Sequence, residues 1–181
     1  MLKKLFAIFI SIFTLGLMPP TFAKDINHMD KHLVLTLKDG EVLIKLRPDL
    51  APNHVARIIE LTNQGFYDNL TFHRVIAGFM AQTGDPKGDG TGGSGQNLRA
   101  EFSSASHVRG TVSMARAASP DSADSQFFIV YAPASYLDGQ YTIFGEVVKG
   151  MEYVDMIKKG NSYNNGSVSD PDKILKARIS E

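Results

Sequence analysis

FHRVIAGFMAQTGD, residues 72–85, gathers one cation, one amide and several apolar side chains into the eleven positions from Phe72 to Gln82. Gly78 divides the stretch into two strand-like pieces, which reads as a hairpin. Alternate side chains of a strand share a face, so the pattern sets Arg74 with Phe72 and Ile76, and His73 with Val75 on the other side. After Gly78 the same rule sets Met80 with Gln82, opposite Phe79 and Ala81. Arg74 is thereby predicted on an apolar wall with an amide near enough to orient it. A guanidinium held in that way offers a fixed hydrogen bond where water is scarce. A surface arginine in a screened ion pair is the plainer alternative, and the apolar neighbours weigh against it.

Upstream, Leu33, Leu35 and Leu37 alternate with Val34, Thr36 and Lys38, and Val42, Ile44 and Leu46 keep phase on a return strand. Asp39-Gly40 between them predicts a two-residue type I′ turn, which needs positive φ at both central positions. Pro52 suits the first turn of a helix. Val55, Ile58, Ile59 and Thr62 recur at helical spacing, with Arg57, Glu60 and Gln64 facing water and Gly65 as the C-terminal cap. His54 on this helix reads as structural or solvent-facing.

Downstream, Gly84 to Gly95 is a glycine-rich surface loop containing a literal GxGxxG, Gly88 to Gly93. A dinucleotide fingerprint follows a buried strand and opens a helix, whereas Asp85-Pro86 precedes this one and polar residues follow it. Thr111 to Ala115 predicts a short strand and Ser125 to Val130 a strand apolar on both faces, hence buried on both. Tyr136 to Gly139 is a turn with two exposed apolar side chains. Tyr141 to Val148 is a strand, and Gly150 to Lys159 a helix with Met151, Val154, Met156 and Ile157 inward and Gly160 as cap. A polar loop, Asn161 to Asp172, precedes a closing strand, Ile174 to Ile179. The count is eight strands, enough for a closed antiparallel barrel filled by side chains and capped by two helices. The fold class is mainly β, in one domain over 32–181.

The N-terminus reads as an export signal. Lys3 and Lys4 precede an uncharged, mostly apolar run, Leu5 to Leu17, and Thr21-Phe22-Ala23 supplies small residues at a cleavage site after 23. About 13 apolar residues are too few for a bilayer core that needs roughly 20. Residues 24–31 then form a flexible mature N-terminus, and the mature protein is expected to be periplasmic or secreted, without stable membrane association. Without Lys3 and Lys4, 17 basic residues face 19 acidic ones, a formal charge of −2. No basic patch stands out for nucleic acid. With no Cys, disulfides and thiol chemistry are excluded.

FHRVIAGFMAQTGD, GTGGSG (90–95), SMARA (113–117), SQFFI (125–129) and LDGQYTIFGEVVKGM (137–151), in this order, resemble the cyclophilin family of peptidyl-prolyl cis/trans isomerases. The resemblance runs from about Leu33 to the last strand, with bacterial periplasmic or secreted members as the nearest likeness. It implies an eight-stranded antiparallel barrel with two helices, a groove for proline-containing segments of unfolded or partly folded proteins, and no metal or cofactor; a monomer is expected. Carried over residue by residue, Arg74 matches the catalytic arginine. Phe79, Met80, Phe128 and Leu137 match the proline pocket, and Gln82 and Gln126 its polar lining. Ala115 and Arg116 match an edge strand that binds the peptide backbone, and Thr91 and Ala117 fall near a second pocket.

Tyr136 stands where animal members often carry Trp and Tyr141 where they often carry His. Weak cyclosporin binding is the expectation, because Tyr lacks the indole N–H. The implied activity is rotation about X–Pro bonds in exported proteins, assisting their folding. The alternative is a chaperone or adaptor that binds proline segments with incidental turnover. No GxSxG, HExxH or Walker sequence is present. His28 and His32 sit four apart near the mature N-terminus, His54, His73 and His107 are scattered, and no third metal ligand is suitably spaced. Asn69-Leu70-Thr71 and Asn165-Gly166-Ser167 are formal glycosylation triplets.

Overall fold

The computed structural model describes residues 31–181. The predicted signal segment 1–23, and residues 24–30 with His28, lie outside the described residues. Eight strands form: β1 (His32–Thr36), β2 (Glu41–Leu46), β3 (Arg74–Ile76), β4 (Met80–Thr83), β5 (Thr111–Met114), β6 (Phe127–Val130), β7 (Ile143–Lys149) and β8 (Lys176–Ser180). They pair antiparallel in the order β3-β4-β6-β5-β7-β2-β1-β8. This is the mainly β, barrel-like sheet expected from the sequence, with one correction to its closure. β3 and β8 share no ladder. The chain just before each strand joins the ends instead, through Asn69 N–H to Ile174 O (2.7 Å), Ile174 N–H to Leu70 O (2.9 Å) and Phe72 N–H to Asp172 O (2.9 Å). Asn69 has φ 63°, which breaks the extended run, so irregular segments make the seam.

Alternation sets the core. Leu33, Leu35, Val42, Ile44 and Leu46 point inward from the first hairpin and join Ala81, Val112, Phe127, Ile129 and Phe144 in one cluster. Each large side chain buried in this way contributes about 1.5–3 kcal/mol. The turn of that hairpin differs from expectation. Thr36 pairs with Glu41, leaving a four-residue connection closed by Leu37 N–H to Gly40 O at 2.9 Å. Neither Asp39 nor Gly40 has positive φ, so no type I′ turn forms. Glycine is required at 40 for another reason: a Cβ there would collide with the Tyr153 ring.

Two helices, α1 (Pro52–Asn63) and α2 (Met151–Met156), add Val55, Ile58, Leu61 and Val154 to the same core. In α1, Ile59 is only partly buried and Leu61 takes its place inside; Arg57, predicted in water, is tied to Glu60 and Ser94. His54 is fully buried against Glu101. Glu101 also accepts the otherwise unpaired N–H groups of Asn53 and His54 in the first turn. At the far end Gly65 N–H bonds Thr62 O and Phe66 N–H bonds Leu61 O, the predicted glycine cap. α2 is shorter than predicted and leaves Met156 exposed. Gly160 is no cap: its N–H bonds Val75 O, on β3.

Candidate active site

The ladder places the site. Arg74 on β3 faces Gln82 on β4, Gln82 faces Phe128 on β6, and one step along Ile76, Met80 and Val130 stand in a parallel row. Met80, Phe128, Val130, Ala134 and Leu137 form an apolar cluster separate from the barrel core, with Ile76, Phe79, Ala115 and Tyr141 packed against it. The predicted face of Arg74 holds for Ile76, but Phe72 lies before β3 and turns into the core beside Val75. Phe79, predicted opposite Met80, lies in the turn before β4, where strand alternation does not apply. It lines the same groove as Met80.

That groove has a volume of about 840 Å³ and adjoins a second of about 530 Å³. Arg74, Phe79, Met80, Gln82, Thr91, Ala115, Arg116, Phe128, Tyr136, Leu137 and Tyr141 line the first; Ala117 and Gln126 line the second, which shares Gln82, Thr91, Ala115 and Arg116. The predicted site residues are thus brought together in two connected grooves. Leu137, predicted exposed, is buried in the apolar floor, because Ser135–Leu137 winds into a 3₁₀ turn. Tyr136 stays exposed over Phe79, ring centroids 5.7 Å apart, and Tyr141 meets Phe128 edge-on at 6.0 Å.

Polar side chains run as a relay along the floor. Arg74 Nη1 donates to Gln82 Oε1 (3.0 Å) and Gln82 Nε2 to Gln126 Oε1 (2.9 Å). Gln126 Nε2 then donates to the carbonyls of Gly90 (3.0 Å) and Gly92 (2.8 Å). On its other side Arg74 donates from Nε and Nη2 to Asn165 O (3.0 Å) and Oδ1 (2.9 Å). Burial holds the Arg74 guanidinium below its ordinary pKa, and among the described residues no ion pair includes it. Of five N–H bonds on a guanidinium, these contacts engage three. One N–H each on Nη1 and Nη2 is left for a ligand.

Residues 32–179 match the family described as cyclophilin type peptidyl-prolyl cis-trans isomerase/CLD. The chain belongs to the cyclophilin family. It is accordingly a peptidyl-prolyl cis-trans isomerase. Among its relatives, a Brucella suis protein named "Probable peptidyl-prolyl cis-trans isomerase" is 55% identical over 159 residues, 81% of either chain. Peptidyl-prolyl cis-trans isomerase B of Bacillus subtilis is 44% identical over 128 residues, 69% of this chain and 89% of the relative. The crystal structure of a Cryptosporidium parvum cyclophilin-type isomerase, in the presence of the dipeptide Ala-Pro, superposes with TM-score 0.76 at 30% identity. It covers 83% of this chain and 99% of its own.

Two features of this cyclophilin's groove bear on the sequence reading. β5 lies between β6 and β7; Ala115 and Arg116 stand just past its end, and Ala115 N–H bonds Gln126 O at 2.9 Å. The Arg116 guanidinium lies 4.5 Å over the Tyr141 ring and donates to the carbonyls of Ala117, Ala118 and Gln140. The glycine-rich loop is tied down as well. The buried Asp85 carboxylate accepts from Lys87 N–H (2.8 Å), Asp89 N–H (3.1 Å) and Gly90 N–H (2.6 Å), while Asp124 accepts from Ser94 and Gly95. Burial works to raise the Asp85 pKa, but the N–H bonds outweigh it and hold the carboxyl below its usual range.

Two neighbours of the site went unseen in the sequence. Asn165 belongs to a loop whose only signals were polarity and a glycosylation triplet. His107 stacks behind Phe128, centroids 6.4 Å apart, and is held by Asp138 Oδ1 (2.9 Å) and Ser113 Oγ (3.1 Å). Its partners lie 31 and 6 residues away, and a lone histidine in a loop carries no spacing signal. His73 also lines the groove, and burial holds its pKa below the ordinary value.

Proposed function

We propose that Arg74 is the catalytic group of this isomerase and that Phe79, Met80, Phe128 and Leu137 receive the proline ring. Rotation about X–Pro must break amide resonance, a barrier of about 18–20 kcal/mol, and no covalent bond changes. In the twisted state the prolyl nitrogen becomes pyramidal and regains a lone pair. The planar ground state offers no such acceptor. A donor that bonds only the twisted state lowers the barrier instead of merely tightening binding.

The single observation that carries this reading is the hold on Arg74. Its guanidinium is fixed by neutral acceptors beside the apolar cluster and keeps two N–H bonds free. One charged hydrogen bond contributes about 1.5–3 kcal/mol, whereas a five-decade acceleration requires about 7 kcal/mol. The remainder comes from the apolar floor, which favours the less charge-separated twisted amide, and from holding the ring while the carbonyl side swings. Gln82 and Gln126 orient the relay. Thr91, Ala115, Arg116, Ala117, Tyr136 and Tyr141 bound the peptide path, with Arg116 acting through its backbone, since its side chain is spent on neighbouring carbonyls. The Ala-Pro dipeptide present with the Cryptosporidium parvum relative supports proline-containing segments as ligands.

The clients are exported proteins, a reading supported by the sequence of residues 1–23. Mass spectrometry of the protein from its native compartment is expected to find a chain starting after Ala23; an intact Met1 overturns export by this route. For the catalytic role, Arg74→Ala is expected to lower kcat/KM by about 10²–10³, the scale of losing one preorganised donor, with the fold intact. Wild-type turnover in that variant refutes the role. A chaperone or adaptor would bind the same peptides without accelerating their exchange, so the assay separates it too.

A further inference from the structure

We infer that Asn165 is a positioning residue for Arg74, and that its lack of charge matters as much as its place. The inference rests on Arg74 being the donor. Residues 161–168 run along the free side of β3, opposite β4: Val75 N–H bonds Gly166 O (2.8 Å), Gly160 N–H bonds Val75 O (2.8 Å) and Val168 N–H bonds His73 O (3.1 Å). Arg74 and Ser167 form an isolated bridge. Only glycine lets the chain approach so closely, since a Cβ on Gly166 would overlap Ile76 and its φ is +78°. Asn165 precedes it in the left-handed region, φ 48° and ψ 32°, which asparagine tolerates better than most residues.

In that conformation both carbonyl groups of Asn165 accept from one guanidinium, the backbone O from Nε and the side-chain Oδ1 from Nη2. Gln82 takes Nη1 from the other side. Arg74 is therefore fixed in direction by two elements 8 and 91 residues away from it. All three acceptors are neutral. Four other arginines are held by carboxylates, Arg47 by Asp49, Arg57 by Glu60, Arg109 by Asp155 and Arg178 by Glu41, while Arg116 in the same groove is held by backbone carbonyls. A carboxylate at 165 would bind the guanidinium more strongly. It would also cancel the positive potential that the two free N–H bonds present to the prolyl lone pair. Asparagine aims the cation and leaves its charge for the substrate.

The test uses Asn165→Gly and Asn165→Asp, alone and combined with Arg74→Ala. Glycine suits the left-handed backbone and removes only the side-chain acceptor; aspartate keeps the acceptor and adds the charge. Each single variant is expected to lower kcat/KM by about tenfold, the weight of about 1.4 kcal/mol, through kcat with KM little changed. With Arg74→Ala present, neither is expected to lower the residual rate further. Full activity in Asn165→Asp overturns the inference, as does an undiminished loss in the Arg74→Ala background. Wild-type turnover in both single variants, beside an inactive Arg74→Ala, overturns it while leaving the role of Arg74 standing. An active Arg74→Ala instead removes the premise, and is seen separately.

Discussion

β4 and β6 each present two faces, and a step of one residue separates barrel core from groove. Ala81, Phe127 and Ile129 join the barrel core; Met80, Phe128 and Val130, their immediate neighbours, form the floor of the groove. The inner set is enclosed by protein on every side. In the outer set Met80 and Phe128 line an open groove, with Val130 fully buried in the same cluster. A cavity cut into the first has nothing to fill it, whereas truncation in the second removes the surface a proline ring would rest on. The same pair of strands can thus be tuned for catalysis without rebuilding the core.

Phe127 and Phe128 break that comparison most sharply. Phe127→Ala is expected to cost about 3–5 kcal/mol of unfolding free energy in denaturant titrations, with kcat/KM of the folded fraction near wild type. Phe128→Ala is expected to do the reverse: a smaller loss of stability and a kcat/KM lower by about tenfold or more, since proximity and ring contact go together. Equal stability losses with equal activities would mean that the two faces are not distinct.

The groove wall gives a smaller effect. Asp85 holds the loop through three N–H bonds, and its carboxyl is more acidic folded than unfolded. The stability it supplies is therefore complete above the unfolded carboxyl pKa of about 4 and is lost as pH falls through the lower folded value. Asp85→Asn is expected to cost about 1 kcal/mol at pH 7, and the difference from wild type should close in acid. A gap that stays constant down to pH 2 contradicts this.

The smallest expected effect is none at all. Burial pushes His73, in the groove, towards its neutral form, and Arg74 stays charged from pH 6 to 8. Turnover should be flat over that range. An inflection there would give a groove histidine a part in the reaction.

What could be read from the sequence was whatever period two controls. The inward leucines of β1, the doubly buried β6 and the shared face of Met80 and Gln82 follow from alternation alone, whereas the groove floor was legible only through the resemblance of the short motifs to a family. Phe79 escaped because it sits in a turn, where its side chain is aimed by tertiary packing. The four-residue turn at 37–40 escaped because the Tyr153 ring, not local backbone preference, demands Gly40. Glu101 on α1, His107 behind Phe128 and Asn165 on Arg74 depend on contacts 47, 21 and 91 residues apart in the chain. No local pattern encodes such contacts.

The most direct measurement is exchange NMR on a proline peptide with wild-type protein and with Arg74→Ala, following binding shifts at Phe128 and cis/trans exchange in one sample. The account requires that the variant still bind the peptide while catalysed exchange falls by about 10²–10³. Exchange at the wild-type rate in the variant would contradict it.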